Sequence, residues 1–379
     1  MYDLLKGARI LDLTSVVLGP IATQYLGDFG ADVIKVEPPA GDIFRYAGPA
    51  RNEDMGAGFL NVNRNKRSIC LDLKNEDDLA QFWDLLKDAD ALVHNMRPDA
   101  AARLGLGPED AKRRNPGLVY CAAPGFGGRG RNADKPAYDD IIQAASGVAA
   151  LNKNQDGEPR YLPTVLCDKV GGLHLAMAVL AGLTHHAKTG KGCVIEAPMF
   201  EGMVAFMMPE HLSGETFRPA VGAVGYERLL SPYRRPYRTK DGFVTVLPYN
   251  GDHWRRALTL IGSDLADAAW VQSLSERSAR IGELYAVLDR RMPLRTTEDW
   301  LALFSERDIP CTAVNSIEDL LTEDHLADVG LFADVEHPSE GAIKSVRSPF
   351  WVEGVDEIAD TPAPQKTDRS QSIAWKKIA

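Results

Sequence analysis

Along the first two hundred residues, short apolar runs alternate with stretches of helical periodicity. Residues 8–13 (ARILDL) read as a buried strand, 20–29 (PIATQYLGDF) as a helix and 31–36 (ADVIKV) as a second strand, with Gly30 at the turn. Polar, Gly-rich sequence then runs to about residue 61. The alternation resumes with strands at 68–73, 91–94 and 118–122 and a helix at 76–86. A helix over 138–150, a strand over 193–197 and a Met-rich helix over 201–211 complete the set. Apolar strands separated by helices predict an α/β fold: a doubly wound, Rossmann-like parallel sheet with helices on both faces.

The pattern changes near Gly214. Residues 214–240 are loop-rich and basic, carrying Arg228, Arg234, Arg235 and Arg238 with tyrosines at 226, 233 and 237. Beyond them, strands at 243–247 and 312–314 and helices at 252–261, 281–292, 297–305 and 317–321 predict a smaller α/β domain over 225–325. Residues 214–224 read as a linker. The large domain then comprises 1–213 and 328–379, because the short β segments of 331–351 need a neighbour to pair with. The last fifteen residues are polar and read as loose.

The stretch 166–183 (LCDKVGGLHLAMAVLAGL) holds the strongest chemical candidate. Asp168 stands where an apolar, strand-like run (161–167) gives way to Leu173, Met177, Leu180 and Leu183 at helical spacing. The plain reading is an N-cap, since an Asp carboxylate accepts the free N–H groups of a first turn. Gly171 and Gly172 argue for more, because each costs on the order of 1 kcal/mol in a helix and leaves bare backbone for a close approach. A carboxylate kept ionised by the helix dipole is also a nucleophile.

Composition narrows the field. The net charge of −10 argues against general binding to nucleic acid or to an anionic membrane, though not against a local basic cluster holding a small anion. No apolar run approaches the roughly 20 residues of a membrane span, and no signal peptide opens the chain. Five scattered cysteines (70, 121, 167, 193 and 311), without C-x-x-C or zinc spacing, read as reduced thiols in a cytoplasmic protein. Cys167, beside the key Asp, reads as packing.

Gly125-Phe-Gly127-Gly128-Arg-Gly130 matches G-x-G-x-x-G, but the sequence after it ends in Pro136 and opens no apolar helix. A dinucleotide fingerprint needs that helix, so this is a mobile Gly-rich loop, and neither nicotinamide nor flavin is expected. Walker A and G-x-S-x-G patterns are missing, and no histidine pair has metal-ligand spacing, so no metal is expected. His185 and His186 read as solvated. His174 lies about 240° around the helix from Asp168, too far to pair with it. Basic clusters at 63–67, 97–103 and 129–135 read singly as solvated faces. Together they place positive charge around the strand ends of a parallel sheet, which suits a phosphorylated ligand.

Several stretches, in order, resemble the class III CoA-transferases (CaiB/BaiF type), a group with formyl-CoA transferase and 2-methylacyl-CoA racemase among its members. They are LDLTxxxxGPxATQxLGxxGADVIKVE (11–37), NRNKRSIxLDL (63–73), HNMRPDAAARLGLG (94–107), NPGLVYCAxxGFG (115–127), YDDIIQAASG (138–147) and Asp168 with GGLHLAMAVLAGL. The resemblance implies that Asp168 is the nucleophile, with Tyr138 and Asp139 beside the active site. It implies that Val16, Leu73, Lys74, Asn95, Met96 and Arg103 line the coenzyme A site, with Lys135 near a phosphate. It further implies acyl-CoA and a free carboxylic acid as substrates, and an interlocked homodimer with its active site between subunits.

Racemases of the group carry a His where this chain has Tyr138. Its replacement argues against racemisation, the alternative use of Asp168 as an acid/base, because proton exchange next to a thioester needs two positioned groups. Formyl-CoA transferase has Gln at the position of Val17, Arg at that of Pro38, and a glycine run that this chain lacks. A larger or less polar acid than formate or oxalate is therefore expected, and a succinyl-type donor would suit the arginines of 228–238. The third reading is a non-catalytic CoA-binding module, with Asp168 only a cap.

Overall fold

The computed structural model describes residues 1–153, 156–368 and 371–377. They form two compact units: one of Met1–Met207 with Val329–Ala379, the other of Met208–Asp328.

The first unit is built on a six-stranded sheet. Strands β1 (Arg9–Leu13), β2 (Asp32–Glu37), β3 (Lys66–Cys70), β4 (Ala91–His94), β5 (Val119–Ala122) and β6 (Cys193–Glu196) lie in the order β3-β2-β1-β4-β5-β6. Every neighbouring pair is parallel. The chain winds outward from β1 to β3, then crosses back to place β4 beside β1. The carboxyl ends of β1 and β4 are thus the switch point at which sheets of this kind hold ligands.

Period-two alternation sends the strand side chains to two cores. On one face Ile10, Val33, Val93 and Val119 pack under α1 (Leu18–Asp28) and the long helix of Leu166–Thr189. On the other, Leu11, Ile34, Ile69 and Leu92 meet Phe82, Leu85 and Leu86 of α2 (Glu76–Lys87). Asn75 starts α2 by accepting the Asp77 and Asp78 N–H groups, and three acids in its first turn with Lys87 in its last complement its dipole.

Several expectations are corrected. The run 161–167 is not a strand. The Gln143 side chain takes the Leu162 N–H (2.9 Å) and donates to the Thr164 carbonyl (3.2 Å), so this backbone is satisfied without a ladder. The helix expected over 138–150 breaks at Gly147 (φ +91°), leaving α3 (Asp139–Ala145) and one turn at Val148–Leu151. The long helix, α4 (Leu166–Thr189), is apolar and long enough to span a bilayer on those grounds alone, contrary to the expectation that no such run exists. Cys167, Val170, Leu175 and Val179 bury one side of it in the first core.

Helix α5 (Met199–His211) follows β6. The second unit has an antiparallel sheet of β7 (Tyr237–Arg238), β8 (Phe243–Val246) and β9 (Cys311–Ala313), packed with α6 (Gly251–Leu260), α7 (Ile281–Arg291) and α8 (Thr297–Ser305) around Trp254, Tyr285, Trp300 and Phe304. The late β segments, β10 (Phe332–His337) and β11 (Gly341–Val346), pair with each other as a hairpin.

The tail after them is docked rather than loose. The Trp375 indole donates to the Leu85 carbonyl (3.0 Å), and the Lys376 N–H to Asp32 (2.8 Å). Residues 369, 370, 378 and 379 of that tail lie outside the described residues.

Candidate active site

Helix α4 begins at Leu166 with Val165 as its N-cap, so Asp168 is the third residue of the helix and not its cap. Its own N–H, one of the orphan donors of the first turn, is satisfied from another element. Asp139, at the start of α3 and buried, accepts it on Oδ1 (3.0 Å) and takes the Gln143 amide on Oδ2 (2.6 Å). The Asp168 carboxylate itself accepts no hydrogen bond from any described residue. Burial, and then the charge of Asp139, push its pKa from 3.8 up to about 7. Both effects act against the ionisation expected from the helix dipole.

Gly171 and Gly172 have a different purpose from the one expected. Both are buried where α4 crosses α1. A Cβ on Gly171 would lie 2.6 Å from Leu18 Cδ1, and one on Gly172 would lie 2.7 Å from the Leu18 carbonyl oxygen. They let two helices touch, and no ligand is needed to explain them. Neighbouring Cys167 is buried, its thiol pushed up to about 12 by desolvation and then by Asp139 and Asp168, so it packs rather than reacts.

Asp168 forms part of the wall of a cavity of about 560 Å³, together with Ser15, Val16, Asn95, Arg97 and Tyr138. A second cavity, of about 400 Å³, is lined by Leu71, Leu73, Lys74, Met96 and Leu104. Ser15 and Ile43 belong to both walls. Both cavities sit at the carboxyl ends of β1 and β4. Asn95, directly after β4, clips Ser15 beyond β1 by accepting its N–H (3.0 Å) and donating to its carbonyl (2.9 Å).

His94 shapes the same turn. It is buried and held neutral, its pKa pushed down to about 4 by desolvation. Its Nδ1 accepts the Met96 N–H (3.2 Å), which leaves Nε2 to face the Tyr120 hydroxyl at 2.7 Å.

The residues singled out from the sequence thus separate. Asp168, Tyr138, Val16 and Asn95 meet at the first cavity, with Asp139 behind Asp168; Leu73, Lys74 and Met96 meet at the second. Arg103 lines neither and pairs with Asp99 on an exposed surface (2.7 Å). Lys135 lines neither, although the next residue, Pro136, does. Arg97, Ser15 and Ile43 were not singled out. Arg97 lay within a recognised basic cluster, while Ile43 lay in a polar stretch without any period.

The cluster at 63–67 is not a ligand surface. It sits at the amino end of β3, the end of the sheet away from the cavities, and its charges are used internally. Arg64 pairs with Asp28, Lys66 with Asp12 (3.1 Å) and Arg67 with Asp32 (2.6 Å). The Gly-rich loop is also engaged: Gly127 N–H donates to Glu201 (3.1 Å) and Gly128 N–H to Glu196 (2.8 Å), so neither is an open donor. In the second unit Arg235 pairs with Asp289 (3.0 Å) and Arg228 donates to the Tyr285 hydroxyl (3.0 Å). Among the described residues no group of three His, Cys, Asp or Glu side chains is placed to hold a metal ion.

Comparison with known proteins adds to this geometry. The family model for CoA-transferase family III matches residues 5–368. The chain is 33% identical over 344 residues to the succinyl-CoA:glutarate CoA-transferase of Mus musculus, covering 89% of this chain and 78% of that one. It is 32% identical to the acetyl-CoA:oxalate CoA-transferase of Acetobacter aceti, over 98% of this chain and 95% of that one. Among solved structures, a CaiB/BaiF family protein from Brucella suis superposes with a TM-score of 0.81 at 27% identity, covering 97% of each chain.

Proposed function

The chain belongs to CoA-transferase family III, and from that premise we propose that Asp168 carries CoA between two acids as an enzyme-bound thioester. The Asp168 carboxylate attacks the carbonyl of an acyl-CoA donor. The C–S bond breaks, leaving a mixed anhydride and CoA thiolate. The thiolate then attacks the aspartyl carbonyl, giving an aspartyl-CoA thioester and releasing the donor acid. The acceptor carboxylate runs the same two steps in reverse and regenerates Asp168. A carboxylate nucleophile conserves the activation of the thioester, held first in the mixed anhydride and then on the aspartyl carbonyl, so none is lost to hydrolysis.

One observation carries this reading: a half-buried carboxylate, without a hydrogen-bond partner among the described residues, on the wall of a cavity at the switch point of the sheet. The second cavity, apolar with Lys74 at its edge, suits the nucleotide end of CoA, and the shared wall of Ser15 and Ile43 suits the passage between them. Proton exchange on an acyl-CoA would need a second acid/base facing Asp168. Both oxygens of Asp139 are engaged, which favours transfer over racemisation.

For substrates we favour a succinyl-type donor and a dicarboxylic acceptor. The mouse relative is named for succinyl-CoA and glutarate, and one from Agrobacterium fabrum, 31% identical, for succinate and glutarate. Arg97 supplies a cation on the wall of the Asp168 cavity.

The reading extends to a homodimer in the cytoplasm. Tyr138, Leu173, Met177 and Phe206 are 72%, 45%, 56% and 57% exposed on the first unit, an apolar surface that a second copy would cover. Light scattering of the purified protein tests that extension.

Incubation with succinyl-CoA followed by hydroxylamine should convert Asp168 to a hydroxamate, detectable by peptide mass spectrometry. Asp168→Ala should neither trap nor transfer. Transfer at the wild-type rate by Asp168→Ala would refute the mechanism.

A further inference from the structure

The chain between β1 and α1 is held almost entirely by side chains. Thr14 N–H donates to Asp12 (2.8 Å), the Thr14 carbonyl accepts Lys35 Nζ (2.7 Å), and Ser15 is clipped at both backbone groups by Asn95. Val16 follows with φ +68°, a left-handed conformation that a β-branched residue rarely adopts. Something must hold it there, and its N–H goes to Asp42 Oδ1 (3.1 Å).

Asp42 does more than hold Val16. The same oxygen accepts the Phe44 N–H (3.0 Å), and so fixes the turn that presents Ile43. Its other oxygen lies 2.9 Å from the ammonium of Lys35, and both side chains are shut off from solvent. Burial alone would push Lys35 towards neutrality, but Asp12, Asp42 and Glu37 outweigh it and keep the ammonium charged. Asp42 therefore ties together two wall segments: Val16 on the Asp168 cavity, and Ile43 on the wall common to both cavities.

We propose that Asp42, braced by Lys35, is a positioning residue for group transfer. It fixes the partition between the two cavities and hence where the thioester of a bound acyl-CoA stops relative to Asp168. This rests on the reading of the Asp168 cavity as the transfer site. Asp42 borders the second cavity and not the first; it touches no reacting atom, and its loss should slow the covalent step far more than it weakens the grip on the nucleotide end.

The test uses full-length Asp42→Asn and Asp42→Ala beside wild type. CoA affinity is read by calorimetry, and the single-turnover rate of enzyme-bound thioester formation by mass spectrometry. Asn keeps an oxygen acceptor for the two N–H groups but loses the ion pair with Lys35. Asp42→Asn should slow thioester formation at least tenfold and Asp42→Ala at least a hundredfold, each with CoA affinity within about threefold of wild type. Should Asp42→Ala fail to fold, Asp42→Asn decides the matter alone. A wild-type rate in Asp42→Asn, or affinity and rate falling by the same factor, would overturn the proposal and leave the transferase reading intact. Wild-type enzyme that forms no thioester would overturn both.

Discussion

The raised pKa of Asp168 makes its carboxylate a burden on the fold, and Asp168→Asn should relieve it. Below pH 4 the group is protonated whether the chain is folded or not, and it costs nothing. Between pH 4 and 7 the unfolded chain has released the proton that the folded chain still holds, so stability falls as pH rises. Above pH 7 the full penalty is present. A rise from 3.8 to about 7 corresponds, at about 1.4 kcal/mol per pH unit, to at most about 4 kcal/mol. Asn has the same shape without the charge. Asp168→Asn should therefore raise Tm by on the order of 5–10 °C at pH 8 and by almost nothing at pH 4. Matched thermal melts of the two proteins across that range provide the measurement. A gain independent of pH would show that the charge is not the cause. No gain at pH 8 would show that the carboxylate is solvated well enough to carry no strain.

Three further outcomes follow from the same contacts. The acid limb of kcat/KM for transfer should have its midpoint near pH 7, and Asp139→Asn should move it downward, because a like charge is removed while burial remains; an unmoved midpoint would discount Asp139. Gly172→Ala should destabilise by about 2 kcal/mol or more in urea titrations, since the added carbon meets the fixed Leu18 carbonyl, whereas Gly171→Ala meets only the movable tip of Leu18 and should cost less than half as much. Lys66→Met should cost about 3–5 kcal/mol by leaving buried Asp12 without its nearest counter-ion, read by the same titrations.

Much of the sheet was legible because most of its strands are short apolar runs; β3 departs from this, opening on Lys66 and Arg67, two residues before the expected start at 68. Ala91–His94 and Thr297–Ser305 end where the pattern says they end. Charges were harder to read. Arg64, Lys66 and Arg67 sit together in sequence, yet their acids come from residues 28, 12 and 32, and nothing local distinguishes a buried pair from a solvated run. Gly171 and Gly172 hinted at a ligand because a sequence does not show that another helix crosses at that point. Asp168 stood out as a carboxylate at the head of an apolar helix. The walls around it are made by loops, which have no period, so Val16, Leu73 and Lys74 were reached through family resemblance, Arg97 only as part of a basic cluster, and Ile43 and Asp42 not at all.

The docked tail has a consequence for biosynthesis. Arg64 donates to the Val346 carbonyl, Asn65 to Asp360, and Arg67 to the Ala374 carbonyl. Residues that leave the ribosome early must wait nearly three hundred positions for these acceptors. The intervening unit, Met208–Asp328, has its own core and can be complete while its host is still unfinished. A premature stop near residue 340 would therefore release a finished small unit joined to a large one that lacks its tail contacts, a form suited to chaperone capture or degradation rather than to partial activity.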